Sequence, residues 1–326
     1  MDGHDEPNSW LNVLRETSVA AGLVPTTFEP GERILVEGDI GDFFVVIVEG
    51  DADVFQGDAQ IASVHTGSVV GELSLVTRTT RTSTVIARTT VKALRGSGDD
   101  FAELLENESI REHFSHLAAS RLAANLEAVA FATEAGFAGE LRPLLPSDRP
   151  AYLELLTRLS PESRRLRFFT ASLPSEKLIN YLISIDFIDH FAWVVLDRAT
   201  TPHEGCGIAR LIRNGDDLSQ AEVAFAVIDE RQGTGIGTIM FGAIGVAARA
   251  LKITTVTAQI LDENASMRHV FEKAKPVWTR PDRGILEARM TVDNVCALLN
   301  SELTAGLSAS VRGIGLAAEI GLRIPG

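Results

Sequence analysis

Residues 221–238 read AEVAFAVIDERQGTGIGT, and this stretch decides the fold of the second half of the chain. Its first part alternates small and large residues with a period of two, which predicts a strand with two unlike faces. One face carries Glu222, Ala224 and Ala226, and the other carries Val223, Phe225 and Val227. A glycine loop follows, and an apolar run from Ile239 to Ala250 predicts a helix. Such a loop presents backbone N–H groups and a helix N-terminus to an anion, so the stretch predicts a phosphate site.

A dinucleotide-binding loop is the alternative interpretation of these glycines. That motif has the spacing G-x-G-x-x-G and an acidic residue about 20 residues later, at the end of the next strand. Here the glycines occupy every second position, and the candidate acid, Asp262, lies beyond that distance. The spacing therefore does not favour a dinucleotide.

Glu222 is the candidate catalytic residue. A carboxylate in so apolar a strand is costly unless it is paired, protonated or functional, so we expect it to be embedded among apolar neighbours. The alanines beside it leave space for a ligand, and such a carboxylate suits a general base. A structural carboxylate or a strand-edge position is the other interpretation.

The first half of the chain has a different sequence pattern. Between residues 28 and 95, turn signals such as Pro30-Gly31 and Gly50-Asp51 separate short runs of strand formers, which predicts an antiparallel sandwich or barrel. Residues 99–135 carry apolar residues at three- and four-residue spacing, which predicts helices. We expect a β-roll followed by helices.

A second candidate phosphate site lies in this half, at Gly71-Glu72-Leu73-Ser74 and Arg81-Thr82-Ser83. A short loop there offers N–H groups, with a carboxylate and, nine positions later, a guanidinium. A cyclic phosphodiester requires a planar cation and N–H donors, and a ribose hydroxyl requires an acceptor. A surface turn with a Glu–Arg ion pair is the simpler interpretation.

In context, residues 10–135 resemble the cyclic-nucleotide-binding domain family. The resemblance implies that Glu72 holds the ribose 2′-hydroxyl and that Arg81 holds the cyclic phosphate. Gly71, Leu73, Ser74, Thr82 and Ser83 would complete the cradle. A Thr after the Arg also contacts guanine in this family, so the choice between cAMP and cGMP stays open, with cAMP favoured.

Residues 139–293 resemble the GNAT superfamily of acetyl-CoA-dependent N-acetyltransferases, and motifs such as Leu159–Ser163 and Arg167–Phe169 resemble its protein-lysine acetyltransferase branch. The fusion of the two domains resembles the actinobacterial cAMP-dependent protein lysine acetyltransferases. The resemblance implies acetyl-CoA as co-substrate and cAMP as effector. It implies a CoA site formed by Ala224, Phe225, Ala226, Val227, Gln232, Gly233, Thr234, Gly235, Ile236, Gly237, Thr238 and Asn264.

The implied mechanism is direct transfer with Glu222 as general base, acting through water on the lysine amine. Strand N–H groups would stabilise the oxyanion. Many members of the superfamily place a Tyr seven residues after the Asn to protonate the thiolate, and here that position is Phe271. Another group, or solvent, would take that role.

Composition bounds these expectations. A chain of 326 residues is long for one core, and we expect an α+β protein with a regulatory β-roll domain (1–138), a mixed-sheet GNAT domain (139–294) and an extension (295–326). The net charge of −14 argues against a nucleic-acid binder. Two distant cysteines make no disulfide framework or metal cluster. The absence of an apolar leader or span predicts a cytoplasmic protein that does not associate with a membrane.

The coupling of the two domains is a hypothesis at this stage. Nucleotide binding would shift the population from a covered to an open acceptor groove, with 157–190 or 295–326 as the cover. Protein substrates would present a lysine, and the family suggests acyl-CoA synthetases and stress proteins. A cyclic-nucleotide-responsive transcription regulator and a catalytically weak sensor are the alternatives.

Overall fold

The computed structural model describes residues 9–321, which divide into two compact units. One comprises the residues up to 118 together with those from 316 onward, and the other comprises residues 119–315. Within the described range, no helix is both long enough and apolar enough to cross a bilayer. The expected α+β class is confirmed, since strands and helices form both units.

The first unit contains two four-stranded antiparallel sheets, ordered β1-β8-β3-β6 and β2-β7-β4-β5. Their strands are β1 (Val24–Phe28), β2 (Arg33–Leu35), β3 (Phe43–Glu49), β4 (Asp51–Gln56), β5 (Ala59–His65), β6 (Val69–Val70), β7 (Thr84–Ala87) and β8 (Val91–Ser97). The helices are α1 (Ser9–Arg15), α2 (Glu72–Thr77), α3 (Gly98–Leu104) and α4 (Glu108–Ala124), the last ending in the second unit.

Strand β3 serves two cores because its side chains alternate between two faces. Val45 and Ile47 join the cluster formed by the strands of both sheets. Phe44 and Val46 face the helices, where Phe44 packs on Phe101 with ring centres 5.6 Å apart. All four side chains are fully buried, which explains the unbroken apolar run.

The second unit is built on one eight-stranded sheet, ordered β15-β16-β14-β13-β12-β11-β10-β9. Its strands are β9 (Val129–Ala132), β10 (Ala138–Pro143), β11 (His190–Asp197), β12 (Glu204–Arg213), β13 (Gln220–Val227), β14 (Thr255–Leu261), β15 (Val277–Asp282) and β16 (Ile285–Thr291). The helices are α5 (Arg149–Thr157), α6 (Pro161–Phe168), α7 (Glu176–Ile183), α8 (Ile236–Ala250), α9 (Ala265–Glu272), α10 (Val292–Cys296) and α11 (Ser301–Gly321), the last ending in the first unit.

Helices cover both faces of this sheet. On one face α8 packs closely, and an added Cβ at Gly207 of β12 would lie 2.9 Å from the sulfur of Met240. On the other face Arg210, three residues later on the same strand, reaches Tyr152 of α5. The sheet is therefore buried between layers, which accounts for the apolar strands β11 and β12.

Strands β13 and β14 form the one parallel pair of the described sheet, and their pairing is short. It covers only Gln220 to Glu222 against Thr255 to Thr257. Beyond Glu222, β13 continues to Val227 paired with β12 alone, and β14 continues to Leu261 paired with β16. The two strands separate, so the backbone edge of β13 from residue 224 onward faces an opening in the sheet.

The prediction of helix throughout 99–135 is wrong at its end. Residues 129–132 form β9, which pairs with residues 138–141 of β10 across a turn containing Gly136. Phe131 is buried and packs near Phe137, with ring centres 6.0 Å apart. The hairpin partner lies beyond the window from which the helical spacing was read, so local periodicity could not reveal it.

Candidate functional site

A cavity of about 630 Å³ lies where β13 and β14 separate. Its walls come from β13, the glycine loop, α8, β14, α9 and α6. Of the predicted CoA set, the cavity is lined by Ala224, Phe225, Ala226, Val227, Gln232, Gly233, Gly235, Ile236, Gly237, Thr238 and Asn264. Thr234 is the exception, because its hydroxyl turns away and donates to the carbonyl of Arg231 at 2.6 Å.

The glycine loop needs glycine at two positions for backbone reasons. Gly233 and Gly235 have φ of +74° and +88°, where a side chain is disfavoured. Gly235 caps α8, which begins at Ile236. The partial positive charge of the helix N-terminus therefore faces the cavity, as an anion site requires.

Glu222 lines the same cavity, but its setting differs from the expectation. Its side chain is exposed, whereas Val223 and Phe225 are buried as the alternation predicts. Glu222 is the last residue of β13 that pairs with β14, so its side chain lies where the two strands begin to separate. The carboxylate is thus accessible to a ligand and to water.

Arg167 of α6 is a charged cavity residue whose role the sequence did not establish. It is half-buried and lines the cavity together with Glu222. Burial lowers the pKa of Arg167 to about 10, with Arg210 acting in the same direction and Glu222 opposing. The guanidinium stays protonated at neutral pH, so a cation and a carboxylate share this cavity.

Behind this wall, Arg210 fixes the state of His190. Arg210 is 2 % exposed and donates to Nε2 of His190 at 2.8 Å and to the carbonyl of Leu182. Since Nε2 accepts, Nδ1 carries the proton and donates to the carbonyl of Ser184 at 3.1 Å. Burial lowers the pKa of His190 to about 4, and Arg210 adds to the effect. His190 is therefore a neutral structural group.

Helix α6 is joined to the glycine loop by a short hydrogen-bond network. Asp229 accepts from the backbone N–H of Ser160 at 2.9 Å and from the hydroxyl of Ser163 at 3.0 Å. The amide of Gln232 donates to the same hydroxyl at 3.0 Å. Burial would raise the pKa of Asp229, but these hydrogen bonds lower it overall. The network ties the helix that carries Arg167 to the start of the loop.

Asn264 and Phe271 hold helix α9 against this site. The side chain of Asn264 accepts from the N–H of Met267 at 3.1 Å and so caps the helix. Phe271 is 1 % exposed and packs on Phe241 of α8, with ring centres 5.0 Å apart. Phe271 is thus an apolar residue of the cavity wall.

In the first unit, Arg81 is the centre of the second candidate site. Although charged, it is 3 % exposed. It donates to the carbonyls of Gly71 and Phe43, both at 2.7 Å, and to the hydroxyl of Ser74 at 3.3 Å. Its guanidinium carbon lies 4.5 Å from the ring centre of Phe43. Burial lowers the pKa of Arg81, whereas the carboxylates of Asp42 and Glu72 oppose this.

Glu72, Gly71 and Ser74 are the other residues of the predicted nucleotide site that lie near this guanidinium. Glu72 is 1 % exposed at the start of α2, and Gly71 before it has φ of +90°. An added Cβ at Gly71 would lie 2.8 Å from Nη1 of Arg81, so the close approach requires glycine. Leu73 is half-buried and Ser74 is buried; Thr82 is exposed and Ser83 is half-buried.

Sequence reasoning missed several residues of both sites. Phe43 and Lys273 contact the predicted site residues Arg81 and Thr238 across long sequence separations, which leaves no local signal. Asp229 is found through its hydrogen bond with Ser163, 66 positions away, although Ser163 itself lies in the Leu159–Ser163 motif. Arg167 lies in the quoted Arg167–Phe169 motif, and that resemblance was the signal that could have identified it.

Comparisons with known proteins identify a domain in each half of the chain. A cyclic nucleotide-binding domain model matches residues 25–108, and an acetyltransferase (GNAT) domain model matches residues 140–275. The chain is 31% identical to the acetyltransferase Pat of Mycolicibacterium smegmatis over 281 residues, which cover 85% of this chain and 84% of that protein.

Two solved structures are also similar to this chain. A mutant of a cAMP-binding acyltransferase from Mycobacterium smegmatis is 27% identical, with a TM-score of 0.50, covering 96% of this chain and 98% of that one. The GNAT domain of S. lividans PAT is 25% identical, covering 50% of this chain and 96% of that one, with a TM-score of 0.47. The family resemblances of both halves are confirmed, and the chain belongs to the Pat family of acetyltransferases.

Proposed function

We propose that this acetyltransferase transfers the acetyl group of acetyl-CoA to the ε-amine of protein lysines, and that cAMP controls the rate. The main support for this function is the order of three features in one cavity. The exposed carboxylate of Glu222, the unpaired edge of β13 and the glycine loop at α8 follow one another along a single cavity. In that order they suit the reacting thioester, the pantetheine arm and the pyrophosphate of acetyl-CoA.

The chemistry follows from these placements. Glu222, through water, accepts a proton from the lysine ammonium, and the neutral amine attacks the thioester carbonyl. The backbone N–H groups between Ala224 and Val227 that point away from β12 have no partner strand on the β14 side, and they pair with the pantetheine arm and stabilise the oxyanion. The attacking nitrogen gives up its second proton to solvent as the C–S bond breaks, and the thiolate takes a proton from solvent because Phe271 has none to give.

For the effector, Arg81 and Glu72 supply the two groups that a cyclic nucleotide needs. The guanidinium provides a buried cation for the cyclic phosphate, and the carboxylate of Glu72 accepts from the ribose 2′-hydroxyl. We favour cAMP over cGMP. Titration with both nucleotides distinguishes them, and equal or tighter binding of cGMP would overturn the preference.

For the regulation, we favour 157–190 as the segment that covers the acceptor groove. Leu159, Arg167 and Phe169 of this segment line the cavity that holds Glu222. Among the described residues, none from 295 to 321 lines it. The domain limits of 1–138, 139–294 and 295–326 stay proposals, and the first of them divides the hairpin of β9 and β10.

As acceptors we propose acyl-CoA synthetases and stress proteins.

The test is transfer of radiolabelled acetyl groups by the wild type and by Glu222→Gln. We expect the variant to lose a factor of about 10² to 10⁴ in kcat, typical of a removed general base, with little change in KM for acetyl-CoA. Glu230→Gln is the matched control, since Glu230 is exposed and outside the cavity. Absence of transfer by the wild type would leave a sensor or a transcription regulator; equal rates for Glu222→Gln and wild type would remove Glu222 from the chemistry.

A further inference from the structure

Helix α9 presents a basic pair at the end of the cavity that the chemistry above does not use. Phe271 and Val270 face α8, and Val270 lies 3.7 Å from where a Cβ of Gly237 would be. His269 and Lys273, four positions apart, are both exposed and both line the cavity. Residues at this spacing share one helix face, so the two side chains lie side by side.

Lys273 is tied directly to the glycine loop. Its Nζ donates to the hydroxyl of Thr238 at 3.0 Å, in the first turn of α8 directly after the loop. The pair therefore lies beside the pyrophosphate site proposed above. Thr257, on β14 opposite Glu222, marks the other end of the opening, where the strands begin to separate.

The charge of Lys273 is available to a ligand, unlike that of its cavity neighbour Arg231. Arg231 is paired with Asp197, at 2.6 Å between Nη2 and the carboxylate. Among the described residues, the partner of Lys273 is the neutral hydroxyl of Thr238. Glu222 is the one acidic side chain among the described lining residues, so no carboxylate of this cavity competes for Lys273.

The 3′-phosphate of CoA is an anion that has no partner in the arrangement proposed so far. With the thioester at Glu222 and the pyrophosphate on the glycine loop, the ribose and its 3′-phosphate extend past the loop, away from the reacting end. We propose that Lys273, assisted by His269, binds the 3′-phosphate of CoA and makes the enzyme selective for CoA thioesters. Acyl groups on phosphopantetheine alone, which lacks that phosphate, bind less tightly. The inference rests on the proposed function.

Calorimetric titration of the full-length protein with CoA and with 3′-dephospho-CoA tests this. We expect the wild type to bind CoA about tenfold more tightly, the size of one charge-assisted contact at a partly exposed site. Lys273→Met should weaken CoA binding by about that factor and leave 3′-dephospho-CoA nearly unchanged. His269→Gln should give a smaller loss in the same direction. The preference should shrink as salt rises, because the contact is partly exposed.

Lys275→Met is the matched control, since Lys275 is equally exposed, carries the same charge and lies outside the cavity. It should behave as wild type. A wild type that binds both ligands equally, or a Lys273→Met variant that weakens both equally, would overturn the 3′-phosphate contact while leaving acetyl transfer intact. A wild type that binds neither ligand would overturn the acetyl-CoA site itself and this inference with it.

Discussion

Arg81→Lys is the perturbation that examines the nucleotide site most sharply, because it keeps the charge and removes the planar fork. In the structure the guanidinium donates to two carbonyls at 2.7 Å and to one hydroxyl at 3.3 Å. A compact ammonium cannot hold Gly71, Phe43 and a phosphate oxygen in one geometry. Losing one charge-assisted contact of about 1.5–3 kcal/mol predicts that cAMP binds roughly 10- to 100-fold more weakly.

The assay is calorimetric titration of the full-length protein with cAMP. Arg88→Lys is the matched control, because Arg88 is exposed and pairs with Asp51 at 3.3 Å. Such surface pairs contribute little, so the control should bind cAMP as wild type does. Unchanged cAMP affinity in Arg81→Lys would refute the assignment of Arg81 to the phosphate.

Two further predictions concern His190 and Gly41. The pKa of His190 is about 4 in the folded protein and about 6.5 in the unfolded chain. Its contribution to the free energy of unfolding is therefore complete above pH 6.5 and is lost as pH falls towards 4. Between pH 6.5 and pH 4, the free energy of unfolding of His190→Gln should fall by up to about 3 kcal/mol less than that of the wild type. If that free energy fell equally steeply with pH in both proteins, the prediction would be wrong. At Gly41, an added Cβ would lie 2.1 Å from Cβ of Ser74, far inside ordinary contact. Gly41→Ala should therefore displace α2 and weaken cAMP binding in the same titration, whereas Gly215→Ala, with open space, should not; wild-type affinity in Gly41→Ala would show that α2 tolerates the shift.

Local patterns predicted those parts of the fold that depend on near neighbours in sequence. The alternation in 221–227 correctly placed Val223 and Phe225 in the core, because strand faces alternate residue by residue. Gly233 and Gly235 were predictable for a similar reason, since their backbone angles and the start of α8 are local properties.

The rest depended on distant residues. Glu222 lies at the end of the short pairing of β13 with β14, which begin 35 positions apart in the chain, so its place in the cavity is not a local property. The contact of Ser163 with Asp229 joins residues 66 positions apart, and no spacing rule reports it. Residues 129–132 form strand β9 although their spacing predicted a helix, because pairing with β10 determines their conformation.

We infer that a cyclic nucleotide raises the rate of acetyl transfer by this protein, and this can be tested directly. The rate at which label from [¹⁴C]acetyl-CoA enters a purified acyl-CoA synthetase is followed with and without saturating cAMP. We expect a clear rise in rate with cAMP in the wild type, and at the same cAMP concentration a smaller rise in Arg81→Lys. Equal rates with and without cAMP, or no transfer in either condition, would contradict it.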